Sequence, residues 1–340
     1  MYGHELTAKD LIRELTWAIE SNYHRPIMIW GAPGLGKTRI TEQLVREHQL
    51  EHRVFRICDK SPVEINGVPV PNETTTHWLP PEGLPKEGKG ILLIDEIVRA
   101  PFTMQGIAQQ LIHERRTMSY ALPEGWFVFA TGNRKSDRTG SFDMPADVAN
   151  RFDHYTLVPD LDSTLEYFVR QDVHEDIIGF LRFRPECLHR FEKDAVAWPS
   201  PRTWLENALP RLKAGRSIAP AVGEAVASEF KAYCDLKDEL PDLTPILEGR
   251  GKSISFPTEA SQRYAVTTAL SLRAKDVAQG RHVLNWLSEK APGEFLQVAT
   301  AVVVKTMQAK SMSLYLELAG VVAEDDTIMA SLKHVTELAS

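Results

Sequence analysis

Short apolar runs punctuate the first half of the chain. Ile27–Trp30, Val54–Ile57, Ile91–Ile94, Phe127–Ala130 and Tyr155–Val158 are separated by polar stretches with helical spacing. Runs this short, without polar alternation, predict strands buried on both faces. Their alternation with helices predicts an α/β fold, a parallel sheet covered by helices on both sides. Residues 61–88 break the rhythm. They are rich in Pro, Gly and Thr and contain the turn pair Asn66-Gly67. A second hairpin is expected from Arg116 to Trp126, turning at Pro123-Glu124-Gly125. After Arg202 the pattern is helical: Thr203–Leu212, Ala219–Leu236, a Pro- and Gly-punctuated linker at Leu240–Pro257, then Glu259–Ser340. Leu284 and Leu287, Phe295 and Val298, and Val302, Val303 and Met307 fall on helical stripes, the pattern of a packed bundle.

Composition narrows the class. The chain has 340 residues, 43% hydrophobic and 25% charged, which suits a globular protein of two or three domains. No apolar run approaches the ~20 residues of a membrane span, and Met1–Lys9 is polar, so a cytosolic chain without membrane insertion is expected. The net charge of −7, with no basic tail, argues against a dedicated nucleic-acid partner, although a local basic patch is compatible with it. Cys58, Cys187 and Cys234 are scattered and form no metal or disulfide spacing.

The first candidate chemistry lies after the first apolar run. Gly31-Ala32-Pro33-Gly34-Leu35-Gly36-Lys37-Thr38 fits GxxxxGK[ST]. The glycines let the backbone turn its N–H groups toward an anion, and a helix starting near Lys37 adds its positive end. Lys37 would reach nucleotide phosphates, and the Thr38 hydroxyl would ligate Mg²⁺. The plainer alternative is a Gly-rich turn between strand and helix.

Four further positions follow. Ile91–Ile94 ends in Asp95-Glu96, and ligands of parallel sheets gather at such strand ends. Asp95 suits a metal-holding carboxylate and Glu96 a base for the attacking water; a capping acid pair is the alternative. Asn133 stands just past WFVFATG, where an amide would hold that water or simply form a turn. Arg151, in Ala149-Asn150-Arg151-Phe152-Asp153, suits an arginine finger or a surface ion pair. Arg202 follows Ser200-Pro201, an N-cap with Pro at the first helical position. A cation there opposes the helix dipole, which points toward a role such as phosphate contact, while the position taken alone reads as a surface Arg. His174-Glu175-Asp176-Ile177-Ile178 lacks the second histidine of a zinc-protease helix.

In this order and spacing the residues resemble an AAA+ ATPase. IDEIVRAPFTMQGIAQQLIHERR and TGNRKSDRTGSFDMPADVANRF are similar to the MoxR branch of that family. The resemblance implies an AAA+ P-loop core, a helical lid and a C-terminal helical region. The core would span 1–198 with a helix-2-type insert at about 61–88, the lid 199–240 and the extension 241–340. It implies Walker A roles for Gly31 to Thr38, Walker B roles for Asp95 and Glu96, sensor 1 for Asn133, a finger for Arg151 and sensor 2 for Arg202. Arg202 would act within its subunit or across a boundary, and Val173–Phe191 would supply the extra helix that shifts the lid. Gly3-His4-Glu5-Leu6 does not fit the family's Val-Gly box, so the adenine pocket is unassigned.

The implied activity is Mg²⁺-dependent ATP hydrolysis in a ring, a hexamer, remodelling a protein client with a von Willebrand A domain partner. The insert would project toward the ring pore, where Trp78, Val63, Val68 and Val70 would touch a substrate or pack on their own domain. Two other readings stay open: a nucleic-acid-translocating motor, and a nucleotide-gated assembly module with slow hydrolysis. No residue distinguishes ATP from GTP.

Overall fold

The computed structural model describes residues 3–137, 140, 142–191, 195–238, 242–323 and 328. The chain forms two compact units, Met1–Asp160 and Leu161–Ser340.

The first unit runs β1 (His4–Leu6), α1 (Ala8–Glu20), β2 (Ile27–Trp30), α2 (Lys37–Glu47), β3 (Glu51–Phe55), α3 (Pro62–Asn66), β4 (Val68–Pro71), β5 (Thr76–Leu79), β6 (Gly90–Ile94), α4 (Phe102–His113), β7 (Trp126–Gly132), α5 (Ala146–Ala149) and β8 (Asp153–Leu157). Six strands make one parallel sheet in the order β1-β8-β2-β7-β6-β3. The period of two along each strand sorts the core into two layers. Ile27, Ile29, Ile91, Leu93, Phe127 and Phe129 face α1 and α2. Met28, Trp30, Leu92, Ile94, Trp126, Val128 and Ala130 face the layer that contains α4. Both faces are covered, which is why β2, β6 and β7 read as unbroken apolar runs.

The edges differ from expectation. The strand expected at Val54–Ile57 begins earlier, at Glu51, and Ile57 sits in the 3₁₀ turn Ile57–Asp59. Strand β1, built from His4, Glu5 and Leu6, carries no apolar run. Both strands lie at sheet edges, where polar side chains reach water and the apolar signal fades.

The 61–88 region forms an antiparallel hairpin, β4 with β5. A capping box at Ser61 and Glu64 starts α3 at its base. Backbone and side-chain bonds from Ser61 and the Lys60 ammonium hold the Glu64 carboxyl down at about 2. Val63, Val68 and Val70 are exposed, and Trp78 is half-buried. The hairpin expected at Arg116–Trp126 is instead a tight loop with a single antiparallel bridge, Arg116 to Ala121.

The second unit is helical: α6 (Leu161–Arg170), α7 (Glu175–Phe183), α8 (Leu209–Lys213), α9 (Ala219–Val222), α10 (Glu224–Asp238), α11 (Thr244–Leu247), α12 (Ala260–Arg273), α13 (Val277–Lys290), α14 (Gly293–Lys310) and α15 (Met312–Ala323). One core gathers around Phe180, Trp204, Phe230 and Tyr233, another around Leu284, Trp286, Leu287 and Val303. Gly223 divides the helix expected over Ala219–Leu236. The helical expectation for 324–327 and 329–340 lies outside the described residues. Among the described residues no helix is long and apolar enough to cross a membrane.

A candidate nucleotide site at the strand ends

The loop Gly31–Gly36 joins the buried strand β2 to α2. Gly36 caps α2 in the left-handed region at φ +93°, which a side chain would strain. The loop therefore leads into the positive N-terminal end of α2, where an anion is favoured. Lys37 opens that helix. Its Nζ donates to the Gly31 carbonyl at 2.7 Å, the Ala32 carbonyl at 3.1 Å and Asn133 Oδ1 at 2.9 Å. Loop, lysine and Asn133 thus meet at one point, at the C-terminal ends of the neighbouring strands β2 and β7.

The acidic pair is placed by β6. Asp95 is 6% exposed, and both of its carboxylate oxygens are engaged. Oδ1 accepts from Thr131 Oγ1 at 2.7 Å, and Oδ2 accepts from Arg56 Nε at 3.2 Å. Thr131 also receives the Glu96 backbone N–H at 3.0 Å. Glu96 holds a left-handed backbone, φ 54°, unusual for a residue with a side chain. Its Oε2 accepts from Arg99 Nη1 at 2.6 Å. Asn133 is buried, and the turn beyond it is held by Arg134, whose N–H and guanidinium bond Asp137.

Thr38 is tied from behind. Thr41 Oγ1 donates to the Thr38 carbonyl at 2.8 Å and lies 3.2 Å from His52 Nε2. The Thr41 proton is spent on Thr38, so His52 donates. Burial holds the His52 pKa below its ordinary value.

Oxygen donors are what a hard divalent cation takes, and the Thr38 hydroxyl and Asp95 carboxylate are such donors. The donor set fits magnesium. Among the described residues no group of three or more His, Cys, Asp and Glu side chains is placed to hold a metal ion.

Arg151 stands at the end of α5 and donates from Nε to the Asp147 carbonyl at 3.2 Å. The turn is braced from outside by Arg25, which reaches the Asn150 carbonyl at 3.2 Å and Asp153 at 2.9 Å. Arg202 belongs to the second unit. Ser200 Oγ accepts from the Thr203 N–H at 3.2 Å as the expected N-cap, and the Arg202 side chain is exposed.

Residues 26–154 match the family model described as "ATPase family associated with various cellular activities (AAA)". That segment is similar to an AAA-family ATPase module. Its boundaries enclose the phosphate loop, Asp95, Glu96, Asn133 and Arg151. No curated protein matches the chain. Among solved structures, the chain is similar to NtrX from Brucella abortus in complex with ADP, at 18% identity, with 98% of this chain and 68% of that one covered and a TM-score of 0.42. It is also similar to the RuvB Holliday junction branch migration motor from Thermotoga maritima, at 17% identity, 72% and 75% coverage and a TM-score of 0.37.

Four residues of this segment escape the motif reading: Arg56, Thr131, Trp30 and His154. Each is a polar-capable side chain at or near a strand end, among the positions the sheet brings together. Thr131 carried the clearest signal, two residues before Asn133.

Proposed function

We propose that the chain is a Mg²⁺-dependent ATP hydrolase of the MoxR type, assembled as a hexameric ring with sites at subunit boundaries. The observation that carries this reading is the Lys37 ammonium, bonded to phosphate-loop carbonyls and to Asn133 Oδ1. It marks the point where a γ-phosphate would trade places with protein oxygens.

The roles follow from position. The amides of Gly34 to Thr38 would cradle the phosphates, with Lys37 on the β- and γ-groups. Thr38 and Asp95 would hold magnesium, which supplies charge neutralisation at the phosphate oxygens. Glu96 would accept a proton from the attacking water through Oε1, since Arg99 already holds Oε2. The water oxygen bonds the γ-phosphorus as the bond to the β–γ bridging oxygen breaks, giving ADP and phosphate. Asn133 would orient that water. Arg151 would reach the γ-phosphate of a neighbouring subunit, and Arg202 would contact phosphate within its own subunit or across a boundary.

The helices beyond residue 198 would act as lid (199–240) and C-terminal extension (241–340). A protein client and a von Willebrand A domain partner rest on the sequence resemblance around Asp95 and Asn133. The exposed valines of the β4–β5 hairpin suit contact with such a client.

The test is ATPase rate per subunit against protein concentration, for wild type and Arg151→Ala. A rate that rises with concentration, and a slow Arg151→Ala that still binds ATP, support shared sites in a ring. A normal Arg151→Ala removes the finger and moves the reading to a nucleotide-gated assembly module.

A further inference from the structure

Trp30 is the last residue of β2 and immediately precedes the phosphate loop. Its buried indole donates from Nε1 to His154 Nδ1 at 2.9 Å. The two rings are only 13° from parallel with centroids 6.1 Å apart, as a side-by-side N–H···N bond requires. His154 Nε2 lies 2.7 Å from the Ala149 carbonyl. An indole N–H only donates and a carbonyl only accepts. Both contacts are satisfied by one form alone, neutral histidine with its proton on Nε2.

The pair stands between two functional segments. Ala149 is two residues before Arg151 and closes α5. On the other side the indole packs on Gly132, the residue before Asn133. A Cβ at Gly132 would come within 3.2 Å of the indole Cζ3. Contact therefore runs from the Asn133 strand end through Trp30 and His154 to the turn that presents Arg151. Nothing along it is a long flexible side chain. Two aromatic rings joined by a directional bond transmit a shift with little slack.

We propose that Trp30 and His154 are positioning residues that couple a subunit's own nucleotide site to the Arg151 it offers its neighbour. The proposal rests on the reading of Arg151 as a finger acting across the boundary. Phosphate contact at Lys37 and Asn133 moves the β2 and β7 ends. The indole follows, and His154 carries the shift to the Ala149 carbonyl and the Arg151 turn. Neither residue touches nucleotide.

His154→Asn tests this. Its Oδ1 replaces Nδ1 as acceptor for Trp30, and the donor to Ala149 is lost. Affinity for a fluorescent ATP analogue should stay within about twofold of wild type, while kcat falls about tenfold to a hundredfold, the scale of a misplaced catalytic group. His154→Gln, whose Nε2 can again reach Ala149, should recover much of the rate. The defect must also be one of presentation to the neighbour. Adding Glu96→Gln subunits, which cannot hydrolyse but keep His154 and Arg151, should raise the rate per His154→Asn subunit. Arg151→Ala in the same mixture is the control. Rescue of both supports the coupling. Rescue of Arg151→Ala but not of His154→Asn overturns it, as does a wild-type rate for His154→Asn alone. Rescue of neither shows that Arg151 is no trans finger, and the coupling falls with it. Trp30→Phe keeps an aromatic ring in the buried position and should reproduce the loss of kcat without loss of nucleotide affinity.

Discussion

Arg56 donates to Asp95 across the ends of β3 and β6, at 3.2 Å. The hydrogen bond to Asp95, reinforced by its charge, holds the Arg56 guanidinium pKa above its ordinary value. The carboxylate assigned to magnesium is thus already paired with a cation, and cation and metal compete for the same oxygens. The arginine is exposed, so the pair is worth only ~0.5–1 kcal/mol. Arg56→Gln should therefore lower the magnesium concentration for half-maximal nucleotide binding by about twofold to fivefold. A magnesium titration followed by fluorescent-nucleotide anisotropy checks this. An unchanged midpoint would mean that the pair opens at no cost.

Lys37 and Glu96 should separate binding from turnover. Lys37→Ala removes the ammonium that joins the loop to Asn133, and nucleotide binding should be lost in equilibrium dialysis. Glu96→Gln keeps the loop intact and should bind ATP yet hydrolyse it at least about a hundredfold more slowly, the usual scale for a lost general base. Normal turnover by Glu96→Gln would sink the base assignment.

Gly132 leaves room for three side chains. A Cβ there would approach Met28 Cε to 2.6 Å, Val98 Cγ2 to 2.9 Å and Trp30 Cζ3 to 3.2 Å. Met28 can swing aside, but the indole is held by its bond to His154. Gly132→Ala should destabilise the protein by about 1–3 kcal/mol, the usual cost of overpacking. Denaturant unfolding reads this directly, and weakened nucleotide affinity should accompany it because Asn133 is the next residue.

His52 supplies a pH dependence with a definite sign. Burial lowers its pKa from the ordinary 6.5, while the Glu42 and Asp95 charges oppose the shift. A histidine depressed in the folded state binds its proton more readily when unfolded. Its contribution is therefore complete above pH ~6.5 and is lost as pH falls toward the folded value. Urea midpoints should drop through that window, and His52→Gln should flatten the drop. An identical slope in the variant would assign the effect to other groups.

Much of the fold was legible in the sequence because the central strands are buried on both faces. Ile27–Trp30, Ile91–Ile94 and Phe127–Ala130 had no polar partner to hide among. The edge strands β1 and β3 were illegible or misplaced for the opposite reason. His4, Glu5, Glu51, His52 and Arg53 face solvent or one layer only, and edge position is a property of the sheet, not of the local run. The phosphate loop was legible because its function demands particular residues at particular spacings over eight positions. Arg56 meets Asp95 across 39 residues and Trp30 meets His154 across 124, and no local window contains either pair.

The sequence by itself determined the alternation of strand and helix, and singled out the loop 31–38 and Asp95, Glu96, Asn133 and Arg151 as candidates. These follow from short-range hydrophobic period and from motif spacing. Only the tertiary structure decided the strand order, and with it that Lys37 meets Asn133, that Thr131 and Arg56 share Asp95, and that an indole before the loop bonds a histidine beside the Arg151 turn. Parallel strands must be joined by crossovers, so residues far apart in the chain become neighbours at the strand ends. That juxtaposition depends on the order in which the crossovers lay the strands down, which no stretch of sequence records locally.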